Sequence, residues 1–289
     1  MKVEKHLINA SDRSFMVSYV IDRYTEFQSE KRRRAVLVCP GGGYEFLSDR
    51  EGEPVALKFV AQGYNAFLLH YSTGSSERGN VFPYALSDIA HAIDYLKTNA
   101  DSFSIDPEKI ILIGFSAGAH LCASMGNMAT HPALQSLGSF QNSLDVAAVV
   151  LCYPWISLEA MYLRLAQCES GSETPVYFEH ANISFSGVSD PFHEAPDYYD
   201  PVKTVSASTP PTFIWHTSND DLVFVDCSLK YTSALSANHV PFELHIFENG
   251  HHGLALCDKT TENRTVDYRP DLVCWQDLMF KWLDAHIEY

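Results

Sequence analysis

Apolar residues fall along this chain in runs of two kinds. Ala35–Cys39, Ala66–Tyr71, Lys109–Ile113, Val146–Tyr153, Thr212–His216 and Phe242–Phe247 are short and largely apolar. Bounded by Gly, Pro or polar residues, they predict strands, most of them buried on both faces as in a parallel sheet. Val3–Ile8 and Phe15–Val20 instead alternate apolar and polar, with Ser11-Asp12-Arg13-Ser14 between them. That pattern predicts an antiparallel hairpin at a sheet edge. A helical period marks Phe82–Asn99, where Ala85, Ile89, Ile93 and Leu96 share one face. The same period marks Asp271–Ile287, with Leu272, Trp275, Met279, Trp282 and His286 along one stripe. Glu53–Gln62, stopped by Gly63, and Asp226–Asn238 are the other helix candidates. Asp106-Pro107-Glu108 reads as a turn.

The order of these elements sets the class. Two consecutive strands open the chain, and the remaining six mostly alternate with helices. The expectation is an α/β protein with a mostly parallel eight-stranded sheet, an antiparallel start, and helices on both faces. A chain of 289 residues is expected to form one large domain. The pattern breaks over about 155–208. After a short helix candidate at Leu158–Ala166 come Gly, Ser, Pro and many aromatics, with no apolar lid helix evident. The stretch is too long for a plain connection and is read as an insertion over the sheet.

In such sheets the reacting groups gather past the carboxyl ends of the strands. Four stretches there carry chemistry. The run Lys109–Ile113 leads into Gly114-Phe115-Ser116-Ala117-Gly118, followed by small and apolar residues suited to a close-packed helix. A G-x-S-x-G between strand and helix is a nucleophile elbow, with the serine at the apex of a sharp turn. A serine hydroxyl needs a base, and the base needs a carboxylate to hold it. Acid candidates follow the Thr212–His216 strand: Asp220 and Asp221, of which only one can face the base. Asp226 is a weaker third, better placed to cap a helix. Base candidates are His251 and His252, after the Phe242–Phe247 strand. Adjacent histidines point apart, and no HExxH or third ligand accompanies them, so a metal reading is disfavoured. Gly41-Gly42-Gly43 follows the Ala35–Cys39 strand without the spacing of a phosphate-binding loop. Bare amides of Gly42 and Gly43, with the N–H of Ala117, would serve a developing oxyanion.

Charge narrows the partners. Lys plus Arg is 20 and Asp plus Glu is 36, a formal charge of −16. Such a chain is expected to avoid nucleic acid and anionic membranes. The basic run Lys31-Arg32-Arg33-Arg34 reads as a solvated loop. The amino-terminal residues Met1–His6 carry no apolar leader, and no apolar stretch approaches the length of a membrane span. The seven cysteines show no CxxC spacing and several fall in apolar runs, which suits reduced packing residues of a cytoplasmic protein. No cofactor is called for.

Taken together, Val38–Tyr44, Gly114–His120, Pro210–Thr217, Asp220 with Val223, and Phe247–Gly253 resemble the α/β-hydrolase superfamily. More narrowly they resemble the bacterial acetyl esterase and acetyl-xylan-esterase-like carboxylesterases, related to the hormone-sensitive-lipase group. The resemblance implies the α/β-hydrolase fold and a serine esterase acting on acetyl or short-chain esters, O-acetylated sugars among them. It implies Ser116 as nucleophile, Asp220 as acid, His252 as base, and Gly42, Gly43 and Ala117 as oxyanion donors. Pro40 stands where lipase-like relatives have His, as in the acetyl-esterase branch. Asn219 and Phe224 replace a common Asp and Pro. The insertion, holding Tyr177, Phe178, Phe185, Phe192, Tyr198 and Tyr199, leaves substrate scope open, and cap packing is favoured over pocket lining for these rings. Two alternatives remain: a serine peptidase of prolyl-oligopeptidase type, which usually adds a propeller with no room here, and a non-catalytic binding protein of the same fold. An uncovered edge strand at Val3–Ile8 would suit a homodimer.

Overall fold

The computed structural model describes residues 1–8, 14–23, 26, 32–75, 79–169 and 171–288. Residues 11–13 of the hairpin turn and Lys31 of the basic run lie outside these. The strands are β1 (Lys2–Leu7), β2 (Phe15–Val20), β3 (Arg33–Cys39), β4 (Asn65–His70), β5 (Ile105–Phe115), β6 (Ala148–Cys152), β7 (Thr212–Thr217) and β8 (Phe242–Phe247). They form one sheet in the order β1-β2-β4-β3-β5-β6-β7-β8. β2 runs antiparallel to both β1 and β4, and every other pair is parallel. This is the expected mostly parallel sheet with an antiparallel start.

Successive residues of a strand point to opposite faces, and the apolar runs supply both. Ala35, Leu37, Ile110, Leu112, Leu151 and Ile214 enter one core, with Ile89 and Ile93 of α2 (Phe82–Thr98), Leu121 of α3 (Ala117–Met128) and Tyr231 of α6 (Asp226–Ala237). Val36, Val38, Ile111, Ile113, Val150 and Trp215 enter the other, with Val55 and Phe59 of α1 (Glu53–Ala61) and Trp275, Met279 and Leu283 of α7 (Cys274–His286). The edges differ. β8 is only half-buried, and Val3 and Leu7 are exposed on β1.

Two local readings need correction. Asp106-Pro107-Glu108 does not precede β5 but bulges within it. Arg33 pairs with Ile105 and Ala35 with Ile110, while the Asp106 carboxylate accepts the Glu108 N–H at 3.1 Å. The turn is real, but the strand resumes pairing on both sides of it. The insertion is also more regular than expected. It contains α4 (Leu158–Leu165), at the predicted place, and α5 (Glu173–Ser186), which was not foreseen. Pro175 sits in the first turn of α5, where proline is tolerated. Phe178, Ala181 and Phe185 are buried, yet Val176 is 57% exposed, so apolar residues on both faces hid the period. No described helix is long and apolar enough to cross a membrane.

Candidate active site

The sharp turn after β5 depends on two close backbone approaches. A Cβ on Gly114 would lie 2.3 Å from the Gly118 carbonyl oxygen, and one on Gly118 would lie 2.1 Å from that of Cys39. Between them Ser116 adopts φ 51° and ψ −117°. Such a conformation costs a non-glycine residue about 1–3 kcal/mol and persists only where its surroundings over-determine it. Here Ser116 N–H donates to Cys152 O (3.0 Å), and its carbonyl accepts from His120 (3.1 Å) and Trp155 (3.3 Å). Gly118→Ala should therefore lower the urea midpoint by the equivalent of about 3 kcal/mol, since only backbone could give way. An unchanged midpoint would contradict this packing.

The strand ends bring the other predicted groups to Ser116. Its hydroxyl donates to Nε2 of His252 at 2.8 Å, and His252 Nδ1–H donates to Asp220 Oδ2 at 2.8 Å. The adjacent carboxylates divide the work: Asp221 Oδ1 accepts the main-chain N–H of His252 at 3.0 Å and does not touch the imidazole. Among the described residues Asp226 makes no hydrogen bond or ion pair to Ser116, His252 or Asp220. It pairs with Arg164 at 3.6 Å and makes no side-chain cap, contrary to the capping expectation. His251 turns the other way, onto Asp267 at 2.8 Å, so the two adjacent histidines do not converge. Asp267 also accepts from Arg50 and Arg264. Burial pushes its carboxyl up, but the bonds from Arg264 and His251 outweigh this and hold it at about 2.

Electrostatics favour the ion pair on which a triad depends. Burial of Asp220 pushes its carboxyl up. The charge of His252 and hydrogen bonds from His216 and His252 outweigh that and hold it well below the usual range. Asp220 Oδ1 also accepts the N–H groups of Leu222 and Val223, each at 2.9 Å. Burial pushes His252 down, but the charge of Asp220, its hydrogen bond, and then Glu51 and Asp221 raise it above its ordinary value.

The glycine loop is turned so that its carbonyls face the protein. Pro40 O accepts from the Tyr71 hydroxyl at 2.6 Å, Gly41 O from Ser48 at 3.0 Å, and Gly42 O from Glu45 at 2.9 Å. Gly42 and Gly43 have φ of 128° and 62°, which glycine adopts without penalty. Among the described residues, no protein acceptor takes the N–H of Gly42, Gly43 or Ala117. Ala117 opens α3, where the first N–H groups have no partner within the helix.

Gly42, Ser116 and His252 line one open cavity of about 790 Å³, walled further by Phe46, Arg50 and Glu173. Of the insertion aromatics named above, Tyr177 lines it. Phe178, Phe185 and Tyr199 are buried, with Phe185 centred 5.3 Å from both Trp155 and Tyr199. The packing reading thus fits three rings and the pocket reading one.

Sequence reasoning missed four supporting residues. His216, fully buried on β7, places Nε2 2.9 Å from Val223 O and 3.3 Å from Asp220 Oδ2, while Ser228 donates to its Nδ1 at 2.8 Å. His120 accepts the Tyr44 hydroxyl at Nδ1 (2.7 Å) and donates from Nε2 to Tyr199 O (2.8 Å). Burial pushes its pKa down to about 4, so a neutral ring pins α3 between the glycine loop and the insertion. Glu51 and Tyr153 form a third support. The histidines carried a signal, being polar residues inside apolar runs; Glu51 and Tyr153 carried none.

A doubly covered parallel sheet with such a serine elbow defines the α/β-hydrolase fold, which the matching solved structures share. Within it, the BD-FAE family model matches residues 21–235, and this chain belongs to that family. It is 31% identical over 235 residues, 78% of its length, to endo-1,4-beta-xylanase B of Butyrivibrio fibrisolvens, of which the match covers 33%. It is 26% identical to an acetylxylan esterase of Xylanibacter ruminicola, over 77% of this chain and 41% of that one. The chain thus spans less than half the length of these two curated relatives. A carboxylesterase from Lactobacillus plantarum, Cest-2923, superposes with a TM-score of 0.83 at 28% identity, over 99% of this chain and 98% of that one.

Proposed function

We propose that the protein is a serine carboxylesterase acting on acetyl or other short-chain esters, with O-acetylated sugars the favoured alcohols. The observation that carries the reading is one imidazole, His252, bridging Ser116 Oγ and Asp220 Oδ2 at 2.8 Å each. Ser116 Oγ attacks the ester carbonyl while its proton passes to His252 Nε2. The carbonyl oxygen takes up negative charge against the N–H groups of Gly42, Gly43 and Ala117. The C–O bond to the alcohol breaks, and the imidazolium returns its proton to the leaving oxygen. Water, deprotonated by the same imidazole, releases the acid from Ser116. Asp220 holds Nδ1–H throughout.

The polar walls of the cavity, Arg50, Glu173, Thr174 and Asp221 beside Tyr177, suit a hydroxyl-rich alcohol better than a long hydrocarbon chain. The names of the two curated relatives, a xylanase and an acetylxylan esterase, support the same substrate class. The test has two parts. A fluorophosphonate should leave one adduct per chain on the peptide containing Ser116. Acetylated xylo-oligosaccharide should release acetate, with p-nitrophenyl acetate cleaved faster than the decanoate. A chain that takes no label and cleaves neither ester is not this enzyme.

A further inference from the structure

One buried carboxylate at the site has no place in the triad. Glu51 is 3% exposed, and among the described residues it pairs with no Lys or Arg; its neighbour Arg50 is engaged with Asp267. Glu51 Oε2 accepts the Gly41 N–H at 2.8 Å, and Oε1 accepts the Tyr153 hydroxyl at 2.7 Å. The same hydroxyl accepts the N–H of Ala255 at 2.9 Å. Each link joins a different loop. Gly41 opens the glycine loop after β3, Tyr153 follows β6, and Ala255 lies three residues beyond His252 on the loop after β8. The glycine link is tight: a Cβ on Gly41 would stand 2.8 Å from Glu51 Oε2 and 2.9 Å from Ser116 Cβ. The Tyr153 ring also meets the His252 ring edge-on, with centroids 5.0 Å apart. Tyr153 and Ala255 both hold positive φ, 36° and 50°, so the chain of bonds spans backbone that is not relaxed.

We propose that Glu51 and Tyr153 are positioning residues for the reaction. Their hydrogen bonds set the oxyanion loop against the histidine loop, and the negative charge of Glu51 favours the imidazolium that forms during turnover. Both oxygens of Glu51 act as acceptors in this network. Around Glu51 stand Tyr71, Tyr153, Tyr177 and Cys152, around His252 stand Asp220 and Asp221, and His251, Arg50 and Arg264 line the same cavity, all three bonded to Asp267. Both guanidiniums are turned to Asp267, which leaves His252 as the member of the triad that feels the charge of Glu51. Burial alone would push His252 down; Asp220 first, and then Glu51, raise it. The inference rests on the esterase reading and adds a role which that reading does not require.

Three variants separate anchoring from charge, each measured with p-nitrophenyl acetate across pH and by thermal melting. Glu51→Gln removes the charge and one acceptor. Its kcat should fall roughly 10- to 100-fold with KM within about threefold, because donors are misplaced and not removed. Its acid limb of kcat/KM should move to lower pH, because His252 loses a neighbouring anion and stays neutral further into acid. Glu51→Asp keeps the charge on a shorter arm, so kcat should fall while the acid limb stays. Tyr153→Phe keeps Glu51 but cuts the link to Ala255, and should lower kcat with the limb in place. Should Glu51→Gln not fold, Tyr153→Phe and Glu51→Asp decide the matter: wild-type kcat in both overturns the proposal. A folded Glu51→Gln with wild-type kcat, or with reduced kcat and an unmoved limb, also overturns it. Either result leaves the esterase reading intact so long as the wild type is active and takes the fluorophosphonate.

Discussion

Ser116→Ala should lower kcat for p-nitrophenyl acetate by about a millionfold, leaving only the residual rate that oxyanion donors and binding provide. The size of the effect follows from geometry. Among the described residues the Ser116 hydroxyl is the group bonded to His252 Nε2, and the strained turn that presents it would hold a methyl group equally well. The variant should fold with an unchanged melting temperature, because Ser116 is held through its backbone, by Cys152, His120 and Trp155. Substrate should bind with little change in affinity, which a competition assay against the wild type can read. A folded Ser116→Ala protein within tenfold of wild-type activity would falsify the nucleophile assignment.

Replacing the acid should cost less and should change the pH profile. Asp220→Asn should lower kcat by about 10⁴-fold, since an amide can hold the ring in the wrong tautomer and cannot stabilise the imidazolium. Loss of the anion that raises His252 should also move the acid limb of kcat/KM to lower pH. Stability should respond in the same sense. The Asp220 carboxyl lies well below its unfolded value of about 3.9, so between those two values the unfolded chain binds a proton that the native state does not. Its contribution is therefore present above about pH 4 and is lost as pH falls through the folded value. Urea melts at a series of pH values should show wild type losing stability below pH ~4 more steeply than Asp220→Asn. Parallel slopes would mean that the carboxylate is not held as its four hydrogen-bond contacts imply. Asp221→Asn, by contrast, should leave the tautomer alone, because the Asp221 carboxylate accepts from the His252 main-chain N–H and Asp220 holds Nδ1.

Much of this architecture was legible from periodicity. Six largely apolar runs and two alternating ones became eight strands; burial on both faces leaves little room for polar residues within the central runs. G-x-S-x-G between strand and helix was readable because its glycines answer a steric demand: a Cβ on Gly114 or Gly118 would meet backbone at 2.3 or 2.1 Å. Helix α5 was not legible. Its buried face of Phe178, Ala181 and Phe185 is matched by exposed Val176, so contrast between faces, the signal on which the reading depends, was weak. The aromatics of the insertion were half understood for a related reason. Composition announces rings, but which of them line a cavity depends on what they meet.

What the amino-acid order determined by itself was the class of fold, the elbow at Ser116, and the loops from which an acid, a base and backbone donors had to come. Those features follow from local sterics and from burial, which act between residues close in the chain. Residue chemistry left two adjacent carboxylates and two adjacent histidines open, and the family resemblance pointed to Asp220 and His252; the tertiary structure sets Asp220 against the imidazole of His252 and turns His251 away. It also decided that Glu51, some two hundred residues before His252, shares a network with it through Tyr153. Such choices turn on side-chain directions across loops held at fixed separation by a packed sheet, and spacing along a chain does not encode them.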